Sequence, residues 1–198
     1  MSDLIAAIRA HTAQLHEQVE QSYPFCKMMS DSLNEEDYTR VLRCLAQWHH
    51  IIETTVAPVI LSTLQGHVAF SSSVQVLKQD LQAMGADKCD ILALNNDHFD
   101  NNERALGALY VVLGSANGAT HILRHLQKHH STLPSAFYKK SALDISQWKQ
   151  YMRWLATQEE QFSNQQIADI ICGAKEAFTL LLAISTEVKT SQRSRTLP

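Results

Sequence analysis

His16 sits in Thr12-Ala13-Gln14-Leu15-His16-Glu17-Gln18-Val19-Glu20, and this segment has the periodicity of an amphipathic helix. Thr12, His16 and Glu20 are spaced i, i+4, i+8 and share one helix face. His16 falls at the border of the apolar stripe made by Ile5, Ile8 and Val19. A partly buried neutral imidazole can bind a metal through one ring nitrogen. The other nitrogen then needs a partner to fix its tautomer, and Glu20, one turn on, can serve. Taken alone, the pattern more often marks a structural or solvated histidine than a ligand.

A second segment, Gly107-Ala108-Leu109-Tyr110-Val111-Val112-Leu113-Gly114-Ser115-Ala116-Asn117-Gly118-Ala119, is strongly apolar yet contains three glycines. Each glycine inside a helix costs about 1 kcal/mol relative to alanine, so their presence calls for a reason. Gly114 and Gly118 are i, i+4 and open one face, and Ser115, Ala116 and Ala119 keep the neighbourhood small. Two readings stay open. Small residues allow a close helix–helix crossing, or they leave a slot for a planar ligand. Set beside His16, the slot points to a haem held between two helices.

The elements that must position these residues are helical. Apolar residues recur at helical spacing almost throughout, and no convincing strand alternation with hairpin turns is seen. The expected class is all-α, one helical bundle. A first helix is expected over 3–21, with Leu4, Ile5, Ile8, Leu15 and Val19 as its buried stripe and Tyr23-Pro24 ending it. Asn34 caps a long second helix that opens with Glu35, Glu36 and Asp37, and Pro58 is expected to kink or break it. A third helix spans about 73–84 and stops at Gly85. A loop covers 86–101, with Asp97, Asp100 and Asn101 as turn residues. The glycine-bearing helix starts near Asn102, Pro134 closes its region, and two last helices cover about 146–161 and 164–189.

The 198 residues fit one domain over 1–190, with a frayed basic tail at 191–198. A net charge of −3 implies neither nucleic acid nor an anionic membrane as partner. No apolar run reaches the roughly 18 residues needed to span a bilayer. Met1-Ser2-Asp3 carries no basic n-region, and Cys26, Cys44, Cys89 and Cys172 form no C-x-x-C pair. Reduced thiols in a cytoplasmic protein are expected.

The segment Ile8 to Glu20 resembles the proximal helix of haem oxygenases, with its R-x-x-T-x-x-x-H-x-x-x-E pattern at Arg9, Thr12, His16 and Glu20. Ala108 to Ala119 resembles the distal helix of the family's bacterial branch, which reads L-Y-V-x-x-G-S-x-x-G-[GA] and is similar to the enzymes that supply biliverdin to bacterial phytochromes. Gly173-Ala174-Lys175-Glu176-Ala177-Phe178 is similar to the A-x-x-x-F of the last helix.

The resemblance implies oxidative opening of haem to biliverdin, carbon monoxide and ferrous iron, using dioxygen and an external ferredoxin- or flavodoxin-type reductant. A bacteriophytochrome is a possible recipient of the product. His16 would ligate the haem iron and Glu20 would orient it. Gly114, Ser115, Asn117 and Gly118 would form the distal surface. Arg9, Lys149, Arg153 and Tyr110 are candidates for holding the haem propionates, and Phe178 for packing on the ring. Two positions depart from the pattern. Leu113 stands where the bacterial branch often has Glu, and Asn117 where Leu or Ser is common. The alternative reading is therefore a haem carrier or sensor of the same fold without turnover. The related fold also hosts thiamin-degrading enzymes, but no cysteine here matches such a site.

Other constellations read as structural. His121, His125 and His129 are spaced i, i+4, i+8 but lie among Arg124 and Lys128, without H-E-x-x-H, and read as a solvated helix face. His49 and His50 are adjacent and point to different faces.

Overall fold

The computed structural model describes residues 2–68, 70–86 and 99–193. Eight α-helices lie among them: α1 (Asp3–Gln21), α2 (Glu35–Thr63), α3 (Val74–Ala83), α4 (Asn102–Gly114), α5 (Ala116–His129), α6 (Ala136–Leu143), α7 (Ile145–Gln158) and α8 (Asn164–Arg193). Short 3₁₀ turns follow α1 at Phe25–Lys27 and α7 at Glu159–Gln161. No strand occurs among the described residues. Asp97 and Cys89, most of the expected 86–101 loop, and the end of the expected tail at 194–198 lie outside the described residues.

Local chemistry sets most helix ends. The Ser2 hydroxyl accepts from the Ile5 N–H at the start of α1. The Asn34 and Asn101 side chains accept from Asp37 N–H and Arg104 N–H, capping α2 and α4 at 2.8 Å each. Gly85, at φ 68°, takes the left-handed conformation that ends α3.

Two expectations are revised and one is narrowed. Of the kink or break expected at Pro58, the break does not occur, and α2 continues to Thr63. Pro58 lies on the exposed face while Val56 and Val59 on either side are buried, so core burial outweighs the one hydrogen bond that proline cannot donate. The glycine-bearing segment is two helices, interrupted at Ser115. The Ser115 hydroxyl bonds back to the Val112 carbonyl at 2.7 Å, and a Gly-Ser pair with such a back-bond is a recognised cause of helix bending. Finally, α6 was not anticipated. Its first two N–H groups, on Ala136 and Phe137, are satisfied by the buried carboxylate of Asp80 on α3, at 3.0 and 2.8 Å.

Long α2 joins two parts of the core. Its first half, through Tyr38, Val41 and Leu42, shares one apolar cluster with residues of α3, α5 and α6. Its second half, through Trp48, Ile52 and Val56, packs with α4, α7, α8 and the start of α1. The stretch Asn102–His129 contains an 18-residue window apolar enough for a membrane span by length and composition, with mean hydropathy 1.3, but 56% of that window is buried within the bundle. Its apolar character supplies core.

α4 and α8 cross with their backbones in close approach. A Cβ on Gly107 would stand 1.9 Å from the Ile170 carbonyl oxygen, and one on Gly173 would stand 2.0 Å from that of Arg104. Across this crossing Arg104 pairs with Glu176 at 2.5 Å, and Trp48 donates its indole N–H to the Ala177 carbonyl at 2.8 Å. For Gly107, the crossing reading of the glycines is the one realised.

Candidate functional site

α1 is buried only in its first half. Leu4, Ile5, Ile8 and Thr12 are its buried residues, and Leu15 and Val19 beyond them are half-buried. The second half therefore lies less deeply in the bundle, and His16 stands there. Its side chain is 59% exposed, more than the partial burial expected from the sequence, because the apolar stripe beside it is itself incompletely covered. Glu20 Oε1 lies 3.7 Å from His16 Nδ1, a loose approach between two exposed groups. The Phe178 ring of α8 meets the imidazole edge-on, with centroids 5.7 Å apart. His16 Nε2 makes no hydrogen bond among the described residues. Thr12 is buried and its hydroxyl bonds to the Ile8 carbonyl at 2.8 Å, so it serves the helix.

The second cluster gathers around Trp148 of α7. A Cβ on Gly114 would lie 3.5 Å from the Trp148 ring, while one on Gly118 would meet nothing within 4 Å. Tyr110 is buried against the same tryptophan, with centroids 4.9 Å apart, and is thus placed in the core. Ser115, Asn117 and Gly118 are exposed, and Asn117 donates its side-chain amide to the Gly114 carbonyl at 2.9 Å, across the break between α4 and α5. Leu113 is buried, lining the side of the α4–α5 segment that faces α2.

Lys149 and Arg153 are i, i+4 on α7, both exposed, and neither pairs with another described residue. Arg9 is exposed on α1. No hydrogen bond, ion pair or ring contact among the described residues joins the His16 cluster to the Trp148 cluster. What relates them is α7 and α8. Both α1 and α4 pack on these two helices, and at most marginally on each other.

This donor set fits a haem. It offers an imidazole nitrogen without a partner among the described residues, a carboxylate beside the other ring nitrogen, a helix face stripped of side chains at Gly118, and two exposed cations on α7.

A second histidine–glutamate pair went unrecognised in the sequence. His49 and Glu53 on α2 repeat the i, i+4 spacing of His16 and Glu20, but both are buried, with Nδ1 and Oε1 3.0 Å apart. Glu53 also accepts from the Ser72 hydroxyl at 2.5 Å and the Ser73 N–H at 2.9 Å. The repeated H-x-x-x-E spacing was the available signal; burial, which separates the two pairs, was not visible. His49 Nε2 is buried without a hydrogen-bond partner among the described residues. His49 also lines a small cavity of about 10 Å³, with Val112, Leu113, Ser115 and Gln147 among its other walls, and this is room for about one water.

Burial pushes the Glu53 carboxyl up, but the His49, Ser72 and Ser73 bonds together outweigh it and hold the group below its ordinary value of 4.5. A carboxylate depressed in the folded state adds stability above its unfolded pKa, and that stability is lost as pH falls through the folded value. Glu53→Gln is therefore expected to be less stable at neutral pH and to lose less on acidification below about 4.5. Urea unfolding at neutral and acidic pH measures this, and an unchanged acid slope would refute it.

The chain is an all-α bundle in which the histidine helix and the glycine-interrupted helix are set against common partners, α7 and α8. The Heme oxygenase family model matches residues 2–187, and the chain belongs to that family. Among solved structures it is similar to the haem oxygenase-1 of the cyanobacterium Synechocystis in complex with haem, at 17% identity over 98% of this chain and 95% of that one, TM-score 0.74. It is also similar to the Neisseria meningitidis haem oxygenase, solved with NO and CO bound, at 18% identity over 95% and 92%, TM-score 0.64. At these identities the likeness is one of fold. No curated protein gives a significant sequence match.

Proposed function

We propose that the protein is a biliverdin-forming haem oxygenase with His16 as the iron ligand. The observation that carries this reading is the His16 imidazole on the less buried half of α1, with Nε2 unpartnered and Glu20 beside Nδ1. Haem is the substrate: its iron activates dioxygen, and its own ring is opened to biliverdin with release of carbon monoxide and ferrous iron.

The chain's residues bind, orient and exclude. Nε2 of His16 offers its lone pair to the iron. Glu20, closing from 3.7 Å directly or through one water, accepts from Nδ1–H and fixes the tautomer. Phe178 limits rotation of the imidazole by its edge contact. Gly114 and Gly118 let the backbone lie against the ring, and Ser115 and Asn117 border the same surface. Lys149 and Arg153, with Arg9 on α1, supply cations for the propionates. Tyr110 contributes from the core by bracing Trp148 under Gly114. The reductant is of ferredoxin or flavodoxin type, the site of action is the cytoplasm, and a bacteriophytochrome is the proposed recipient, as in the branch that the Ala108 to Ala119 segment resembles.

Hemin-loaded protein supplied with reductant and dioxygen, with catalase present to remove free peroxide, tests the reading. Loss of the Soret band with a rise in biliverdin absorbance is expected. Retention of the band under turnover conditions would instead identify a haem carrier or sensor.

A further inference from the structure

The histidine-rich end of α5 meets a carboxylate from elsewhere in the chain. His125 and His129 lie one turn apart, their rings stacked with centroids 4.8 Å apart and planes 27° from parallel. Asp31, from the turn between the first 3₁₀ segment and α2, places Oδ1 3.4 Å from His129 Nδ1. One ligand atom from each of the three residues falls within 4.8 Å of the others.

The turn that carries Asp31 is built. The Ser30 hydroxyl accepts from the Ser32 N–H at 3.1 Å and lies 2.8 Å from the Ser32 hydroxyl. The Ser30 carbonyl accepts from His130 Nε2 at 3.2 Å, which ties this turn to the end of α5. His125 contributes an independent sign, since its Nε2 is buried with no hydrogen-bond partner among the described residues. A buried polar atom without a partner is costly and calls for an explanation such as an ion.

We propose that Asp31, His125 and His129 form a binding site for a divalent transition-metal ion, separate from the haem site. Two imidazoles and one carboxylate suit a borderline cation such as zinc, with water completing the shell. Tetrahedral coordination with bonds of about 2.0–2.1 Å sets donor atoms roughly 3.3 Å apart. The Asp31–His129 separation already matches this. Rotation of the Asp31 side chain, 83% exposed and so free to move, together with a torsional adjustment of the histidines, closes the remainder. His121, one turn earlier on α5, has no place in the cluster.

The test uses the full chain, freed of metal by chelator and titrated with Zn²⁺ against a chromophoric competitor. Co²⁺ is titrated in parallel for its visible absorption bands. One saturable equivalent is expected, with Co²⁺ bands of a low-symmetry nitrogen and oxygen site. Asp31→Ala and His129→Ala, both substitutions of exposed side chains, should each weaken Zn²⁺ by at least about tenfold, with circular dichroism unchanged. His121→Ala and His16→Ala should bind Zn²⁺ as the parent does, and the His16 variant keeps the outcome separate from that of the haem reading. Absence of a saturable equivalent, or parental affinity in the Asp31 and His129 variants, would overturn the proposal.

Discussion

His16→Ala is expected to abolish the stoichiometric, sharp Soret complex with hemin while leaving the fold intact. The reasoning is local. His16 is more than half exposed, and its contacts are an edge approach to Phe178 and a 3.7 Å approach to Glu20. Removing such a side chain changes stability by no more than about 0.5 kcal/mol, so any loss of haem binding reports on the iron bond. The affinity loss should exceed about tenfold, because an axial ligand goes and not merely its supporting partner. Added imidazole should restore a Soret band to the variant by filling the vacated position, a result that a purely structural role for His16 would not give. A variant that retains the parental spectrum and affinity would place the iron ligand elsewhere.

The second large effect concerns the glycines, which divide by position. Gly107→Ala and Gly173→Ala are each expected to destabilise the protein by about 3 kcal/mol, since each new methyl would stand about 2 Å from a backbone carbonyl oxygen of the facing helix. Backbone cannot rotate aside as a side-chain tip can, so α4 and α8 must separate. That separation loosens the Arg104–Glu176 pair and the bond from the Trp48 indole. Gly118→Ala should behave oppositely. Its Cβ meets nothing within 4 Å, and alanine is the better helix former, so stability should rise by up to about 1 kcal/mol. If the bare face at Gly118 serves the haem, the same variant should bind hemin more weakly or turn it over more slowly. A Gly118→Ala protein that is both more stable and fully active would remove Gly118 from the site. Gly114→Ala lies between these cases, its methyl reaching an ordinary contact with Trp148 at 3.5 Å.

Where the sequence carried its own local signals, it was legible. The bounds of α1, the Asn34 cap, the Gly85 stop and the start of α4 near Asn102 all follow from residues within one turn of the feature they set. The two segments that carry the family resemblance were legible for the same reason. What escaped depended on partners far along the chain. α6 owes its first turn to Asp80 on α3, and Pro58 is tolerated because Val56 and Val59 are buried by other helices. His49 with Glu53 and His16 with Glu20 are indistinguishable by spacing, and only the folded bundle buries one pair and leaves the other near solvent. His125 and His129 looked like a solvated face because Asp31, which completes the cluster, comes from another element. The break at Ser115 is a milder case. The Gly-Ser pair is plain in the sequence, but the apolar periodicity runs on through it, and the break depends on the hydroxyl's bond to the Val112 carbonyl.

The proposed activity opens the haem ring, where a carrier would only hold haem. The most direct measurement is the yield of carbon monoxide from a single turnover of the hemin complex, with reductant, dioxygen and catalase present and free ferrous iron trapped in the same vessel. Ring opening predicts one carbon monoxide and one ferrous iron for each haem consumed, and neither from the His16→Ala protein. Haem that survives, or haem that bleaches without releasing carbon monoxide, would contradict the account.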